Sequence, residues 1–246
     1  MKPPFKTAQF TVRSHEVDIF HKAKLSAVVS YFQESASAHV IDLKLTEYDL
    51  LQHNLMWVLN RQHIIMDDLP NHKSTITVET FPSGFDKFFF YRDFVMLDDT
   101  GKRIGRSTST WLVVDTIKRK LTHIPDFIKN IPINEEREKM PVVKGKFPRI
   151  KTFSYQTERT IEWHDLDINN HTNNTHYFRW LLETLPVEVL KNNQIREIDI
   201  VFKQETQLGD KIILYAEPID DASFFHQITS ETGKVIIQAK TVWKTK

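Results

Sequence analysis

The feature that most constrains what this 246-residue chain can fold into is that it repeats itself once. Arg13-Ser14-His15-Glu16 faces Arg159-Thr160-Ile161-Glu162, and Tyr31-Phe32 faces Tyr177-Phe178, both at an offset of 146. Thr100-Gly101-Lys102 faces Thr232-Gly233-Lys234, and Trp111 faces Trp243, both at an offset of 132. Self-similarity in a constant order marks one supersecondary plan used twice. The fall in offset places an insertion in the first copy, between its helix and its sheet, at residues 44–56.

Hydrophobic periodicity supplies the plan. In the first copy Leu25, Val28, Val29, Phe32, Ala36 and Val40 recur at helical spacing. Strand-like runs follow at Met56–Met66, Ser74–Pro82, Lys87–Leu97 and Arg106–Asp115, with Asp98-Asp99-Thr100-Gly101 as a hairpin turn. In the second copy Asn174, Tyr177, Phe178, Leu181, Leu182 and Leu185 make the helical stripe, and Pro186 stands near its end. Strands are expected at Ile195–Gln204, Asp210–Pro218, Ser223–Ser230 and Val235–Lys244, with Glu231-Thr232-Gly233 as the matching turn. Each copy is therefore expected to be a strand, one long helix and an antiparallel meander, an α+β unit whose sheet wraps the helix. The expected division is residues 1–125, a linker over 126–152 marked by Pro125, Pro132, Pro141 and Pro148, and residues 153–246.

Composition narrows the classes. With 40% hydrophobic and 26% charged residues the chain is globular, and a net charge of +1 gives no general pull toward nucleic acid or membrane. The absence of cysteine excludes disulfides, thiolate metal sites and cysteine nucleophiles. Met1-Lys2-Pro3-Pro4 has no apolar core of a signal peptide, and no run of about 18 apolar residues exists. A cytoplasmic location is expected.

The densest polar cluster stands just before the second helix, His164-Asp165-Leu166-Asp167-Ile168-Asn169-Asn170-His171-Thr172-Asn173-Asn174. Asp167, Asn169 and His171 alternate, so an extended segment would point all three one way. The helix is expected to begin near Thr172 or Asn173, both good caps. A helix N-terminus offers free N–H groups and partial positive charge, which suit a carbonyl that becomes an oxyanion. A carboxylate beside it can serve as general base or nucleophile, and an imidazole can shuttle a proton near neutral pH. Asp165 is expected to be a bystander. At an offset of 146, Asp167 maps to His21, Asn169 to Ala23 and His171 to Leu25, so the first copy is expected to lack the polar set. Glu205, at the end of a strand-like run, is a second candidate for activating water.

These residues carry a resemblance. Asp165 to Asn174, with Tyr177 and Trp180-Leu181-Leu182-Glu183, resembles the signature of the acyl-acyl carrier protein (acyl-ACP) thioesterases. Phe10-Thr11-Val12-Arg13-Ser14, Gln33-Glu34-Ser35-Ala36, Met56-Trp57-Val58 and Ser109-Thr110-Trp111-Leu112-Val113 extend the resemblance over nearly the whole chain. It implies a double hotdog fold and hydrolysis of fatty-acyl thioesters on acyl carrier protein, with no metal or organic cofactor. It places catalysis on Asp167, Asn169, His171 and Glu205, with backbone N–H groups after His171 holding the oxyanion. In the scheme it suggests, Asp167 is base or nucleophile and Glu205 helps to activate water. The acyl chain is placed in the first copy near Met56 and Trp57, and Asn173 and Asn174 are counted as substrate-binding. Plant members carry a cysteine after the glutamate; Thr206 stands there in this chain. No plastid leader is expected in this chain, and a bacterial member of the family is the expectation.

The implied partner, an acidic carrier protein, calls for a basic surface. Lys118-Arg119-Lys120 is one candidate, and Lys144, Lys146, Arg149 and Lys151 are another. A monomer or a homodimer is compatible with two tandem units. Three other functions share these features. They are hydrolysis of coenzyme A thioesters, hydration or dehydration of enoyl thioesters, and non-catalytic acyl binding. Hydratases space their histidine three residues after the asparagine rather than two, and the intact polar set argues against a purely binding role.

Overall fold

A computed structural model describes residues 4–148, 150 and 152–246. It divides into two compact units, residues 1–143 and 144–246. The first holds β1 (Lys6–Thr11), α1 (Leu25–Asp42), α2 (Glu47–Leu51), β2 (Leu55–Met66), β3 (Thr75–Phe85), β4 (Phe89–Leu97), β5 (Arg103–Asp115), β6 (Lys120–Thr122) and α3 (Asp126–Lys129). The second holds β7 (Tyr155–Thr160), α4 (Asn174–Glu183), α5 (Val187–Asn192), β8 (Asn193–Phe202), β9 (Lys211–Asp220), β10 (Ser223–Ser230) and β11 (Val235–Thr245).

Both units are antiparallel and built in the same order. The first runs β1-β3-β4-β5-β2, with β6 on β5; the second runs β7-β9-β10-β11-β8. Each sheet wraps one principal helix, so the fold is α+β and a double hotdog, as the repeat requires. No helix among the described residues is long and apolar enough to cross a membrane.

The helix α1 forms because its apolar stripe meets the sheet. Leu25, Val28, Val29 and Phe32 are buried, and the same face continues through buried Ser35 and His39. The last two are polar, so counting apolar residues missed them in favour of Ala36 and Val40, which are only half-buried. The helix stops where Lys44 turns left-handed (φ 52°) and the Leu45 N–H reaches back to the Val40 carbonyl at 2.9 Å. Leu43 and Leu45, both fully buried, seal that end. Most of the extra length of the first copy lies in α1, 18 residues against 10 in α4, rather than at residues 44–56, where α2 stands in the place that α5 takes in the second copy. Thr46 and Asp49 cap α2 reciprocally and Leu50 anchors it in the core.

The segment from 126 was expected to be an open linker. Instead it starts with α3, and Ile128 and Ile131 are buried in the cluster of Leu43, Leu50, Phe90 and Val113. Further on, Arg137 pairs with Glu79, and the Met140 N–H donates to buried Asp93 at 2.7 Å. Its prolines suppress periodicity, but its isoleucines still have surface to bury.

The register of the repeat also needs correction. Beginning at β1 and β7, through the 3-10 turns at Ser14–Glu16 and Trp163–Asp165, to the first helical residues Leu25 and Asn174, the copies are 149 positions apart, not 146. A shift of three is close to one helical turn, so a helical stripe looks alike in either register. Tyr31 therefore corresponds to Trp180, and Tyr177 to Val28. From the end of β2 and β8 into β3 and β9 the offset is 136, since Lys73 and Gly209, and Ser74 and Asp210, make matching bonds to Val12 and Ile161. The hairpins keep the offset of 132. Gly101 and Gly233 both take positive φ there, beside matching bonds from Asp98 to Lys102 and from Ser230 to Lys234.

Candidate active site

The cluster before α4 is a closed turn rather than an extended segment. The Asp167 N–H donates to the His171 carbonyl at 2.8 Å, and the Asn170 N–H donates to the Asp167 carbonyl at 3.0 Å. Asn170 is left-handed (φ 60°), which asparagine tolerates. The carboxylate oxygen Oδ1 of Asp167 accepts from the N–H groups of Asn169 at 2.8 Å and His171 at 3.4 Å. An aspartate side chain that bonds its own following amides stabilises a turn over an extended run. The alternation of 167, 169 and 171 therefore does not align the three side chains.

The turn ends in a fixed helix start. Asn173 is the N-cap, its side-chain oxygen accepting from the Thr175 N–H at 3.0 Å and the Thr175 hydroxyl at 2.9 Å. That commits the side-chain oxygen of Asn173, a residue expected to bind substrate, to the helix start. Asp165 is a structural neighbour, as its carbonyl accepts from the Asn173 N–H and its carboxylate lies 3.5 Å from the His176 ring. Burial holds that ring below the usual imidazole range, against a smaller upward pull from Asp165. The N–H of Thr172 goes to the Thr206 carbonyl at 2.9 Å. Both of the first two amides after His171 are thus committed, contrary to their expected service to an oxyanion. Among the described residues the Asn174 N–H, the first of the helix, has no acceptor.

The structure brings His171 and Glu205 together, with Nε2 3.3 Å from the carboxylate Oε2. The Glu205 side chain is half-exposed, while His171 is more sheltered. Asn169 is exposed and Ile168, between it and Asp167, is almost fully so. Below the His171–Glu205 pair lie three buried hydroxyls, on Thr172, Thr206 and Tyr177. None had been singled out for a role in the site. The signal that would have found them is the corrected register, which sets them against Ala23, Pro70 and Val28.

Met56 and Trp57 lie at the start of β2 in the first unit. The Trp57 ring stacks at a tilt on Phe90 with centroids 5.2 Å apart, and its Nε1 donates to the Leu45 carbonyl at 3.2 Å. These are core contacts. Among the basic candidates, Lys118, Arg119 and Lys120 are exposed on the hairpin between β5 and β6, flanked by exposed Ile117 and Leu121. Lys144 and Lys146 are exposed, whereas Arg149 and Lys151 lie outside the described residues, as do Met1 to Pro3. No group of metal-ligating side chains converges among the described residues.

Comparison with known proteins agrees across the whole chain. The family model of the acyl-ACP thioesterase N-terminal domain matches residues 4–131, and that of the C-terminal domain matches residues 150–245. A chloroplastic acyl-[acyl-carrier-protein] hydrolase of Cuphea viscosissima is 27% identical, over 96% of this chain and 62% of its own length. A chloroplastic dodecanoyl-[acyl-carrier-protein] hydrolase of Cinnamomum camphora is 28% identical, over 96% of this chain and 67% of its own. The chain thus spans a little under two thirds of the length of several curated relatives that it matches. Two solved structures share the fold. An acyl-ACP thioesterase from Bacteroides thetaiotaomicron has a TM-score of 0.89 at 22% identity, covering 98% of each chain. The 12:0-ACP thioesterase of Umbellularia californica has a TM-score of 0.87 at 24% identity, covering 100% of this chain and 99% of its own.

Proposed function

The chain belongs to the acyl-ACP thioesterase family, and from that premise we propose that it hydrolyses fatty-acyl thioesters on acyl carrier protein and releases the free fatty acid. The observation that carries the reading is the His171–Glu205 pair at the start of α4. The first unit keeps the same turn but sets Lys22 against Asp68 at that place.

The geometry suggests a division of labour different from the first expectation. With Nε2 set 3.3 Å from the Glu205 carboxylate, a neutral His171 that carries its proton on Nε2 keeps a lone pair on Nδ1 and can take a proton from water. The water oxygen bonds to the thioester carbonyl carbon, and the Asn174 N–H at the positive end of α4 receives the oxyanion. When the carbonyl re-forms, the carbon–sulfur bond breaks and His171 returns its proton to the departing thiolate. Glu205 steadies the imidazolium in between. Asp167 holds the turn that presents His171, in place of its expected service as base or nucleophile. The chemistry asks for no metal or organic cofactor.

Carrier protein is favoured as the substrate's handle because the family names it and because Lys118, Arg119 and Lys120 offer exposed cations to an acidic partner. The test is free fatty acid release from a panel of acyl-ACP thioesters and matching acyl-coenzyme A thioesters, for the wild type and His171→Gln. Release from the carrier-protein series that disappears in the variant is the expected result. Release from coenzyme A alone would replace the carrier, and release from neither would end the hydrolytic reading.

A further inference from the structure

The His171–Glu205 pair has a second rung beneath it. Thr172 follows His171 and Thr206 follows Glu205, and in both pairs the second residue is the more deeply buried. The acid and imidazole face outward, with the Glu205 side chain half-exposed, while the two threonines face inward, 5% and 2% exposed. Their hydroxyl oxygens lie 2.7 Å apart. The Tyr177 hydroxyl, one turn into α4 and equally buried, lies 2.6 Å from the same Thr206 oxygen.

Three hydroxyls carry three protons, and one order spends all of them inside the cluster. In that order Tyr177 would donate to Thr206 Oγ1 and Thr206 to Thr172 Oγ1, while Thr172 donates to the Thr206 carbonyl at 3.4 Å. Thr206 is the hub. It ties the segment that bears Glu205 both to the turn that bears His171 and to the body of the helix.

The first unit shows that folding does not require this cluster. Its backbone makes the corresponding bond, from the Ala23 N–H to the Pro70 carbonyl at 2.8 Å, against 2.9 Å from Thr172 to Thr206. Yet the three side-chain positions there are Ala23, Pro70 and Val28, all without a hydroxyl. Buried hydroxyls cost free energy unless bonded, so an apolar set is the simpler way to build the frame. The second unit carries the costlier set at the place where it also carries the imidazole–carboxylate pair.

We propose that Thr206, with Tyr177 and Thr172, forms a hydroxyl clasp that positions Glu205 against His171 for hydrolysis. None of the three touches the reacting atoms; they act through the pair above them. Among the described residues the half-exposed Glu205 side chain pairs only with His171, and a general-base pair loses rate steeply when its geometry drifts. The inference rests on the hydrolytic reading of the same site.

The test uses the full chain with Thr206→Val, which is isosteric and removes the hub, Thr206→Ser, which restores the hydroxyl, and Tyr177→Phe. Thr184→Val is the control, because Thr184 is a buried hydroxyl at the end of the same helix that bonds only its own helix, to the Trp180 carbonyl at 2.9 Å. Thr206→Val is expected to lower kcat by about 10- to 100-fold with KM unchanged. Tyr177→Phe should lower it less, and Thr206→Ser should recover most of it. A second readout needs no turnover: the ring 15N resonances of His171 in the ligand-free protein, assigned through His171→Gln. They should move in Thr206→Val and Tyr177→Phe, return in Thr206→Ser and stay in place in Thr184→Val. If the wild type hydrolyses nothing, the function fails while the resonances still test the clasp. Unmoved resonances with unchanged kcat would overturn the clasp, as would equal losses in Thr184→Val. If Thr206→Val does not fold, Tyr177→Phe and Thr206→Ser decide on the same two readouts.

Discussion

The turn at Asp18 and the turn at Asp167 are one structure solved twice. In the first, Asp18 Oδ1 accepts from the N–H groups of Phe20 at 2.8 Å and Lys22 at 3.1 Å, and His21 takes the left-handed position at φ 58°. In the second, Asn169, His171 and Asn170 stand in those places. Both turns close with a bridge, Val17 to Ala23 and Leu166 to Thr172, and both dock on the segment that follows a long strand. They differ in what crosses to that segment. In the first unit the Lys22 ammonium grips Asp68 at 3.0 Å and the Leu69 carbonyl at 3.1 Å. In the second the His171 imidazole meets Glu205 at 3.3 Å. An ammonium holds its proton throughout the neutral range, whereas an imidazole can give and take one there. The comparison separates frame from chemistry. The aspartate belongs to the frame in both units, and the imidazole–carboxylate pair belongs to one.

The largest effect expected from this contrast is on catalysis. Glu205→Gln should lower kcat for acyl-ACP hydrolysis by about 10²- to 10⁴-fold, the usual worth of acid–base assistance. Asp68→Asn, which weakens the corresponding pair in the first unit, should leave kcat alone and cost about 1 kcal/mol of stability or less, since the Asp68 carboxylate is half-exposed. Steady-state fatty acid release and thermal unfolding on both variants decide it. Equal losses of kcat would show that the frame, not the pair, carries the reaction.

A second contrast lies in the cores and concerns acid. His226 of β10 is fully buried, with Nε2 2.9 Å from the Thr241 hydroxyl, and burial alone pushes its imidazole down to about 3. The corresponding position of the first unit is Phe94, which packs on Phe32 with ring centroids 5.1 Å apart. The unfolded chain takes up the His226 proton near the ordinary value of about 6.5, whereas the folded chain resists it down to about 3. The unfolded state therefore binds more protons in that window, and this contribution to stability is present above about pH 6.5 and lost as pH falls. His226→Phe should remove the loss. Its stability relative to wild type should improve by about 1.4 kcal/mol per pH unit between roughly pH 6 and 4. Denaturant unfolding at several pH values measures it, and parallel curves would contradict it.

These contrasts also mark what the sequence could disclose. Helix stripes and strand runs announced themselves, because apolar periods of 3.6 and 2 survive without knowledge of partners; every long strand was visible to within a few residues. The polar cluster and Glu205 were visible as residue types. Their arrangement was not. Alternation at 167, 169 and 171 suggested an extended segment, but an aspartate bonding its own next amides, with Asn170 left-handed, closes a turn that leaves no mark on hydrophobic period. The register error of three arose because a helix nearly maps onto itself after one turn, and it hid Asp18 as the counterpart of Asp167. The clasp was out of reach for a simpler reason. Thr206 meets Thr172 and Tyr177 across 34 and 29 residues of chain, and a lone threonine in the segment beyond a strand has no period to betray it.

The smallest effect is the one that tests the equivalence of the two aspartates. An asparagine oxygen can still accept from the two amides that each carboxylate holds, so Asp18→Asn and Asp167→Asn should both keep the turn. Losing charge assistance should cost each about 1 kcal/mol of stability. If Asp167 belongs to the frame alone, its variant should keep kcat within about tenfold of wild type, the equivalent of one such bond. Asp18→Asn should leave kcat unchanged. Measured side by side, equal stability losses with modest kinetic change in Asp167→Asn would leave Glu205 and His171 as the reacting pair. Equal stability losses with a hundredfold or greater fall in kcat confined to Asp167→Asn would mean that the charge on Asp167 acts on the substrate. The second unit would then have turned a piece of the common frame into a catalyst.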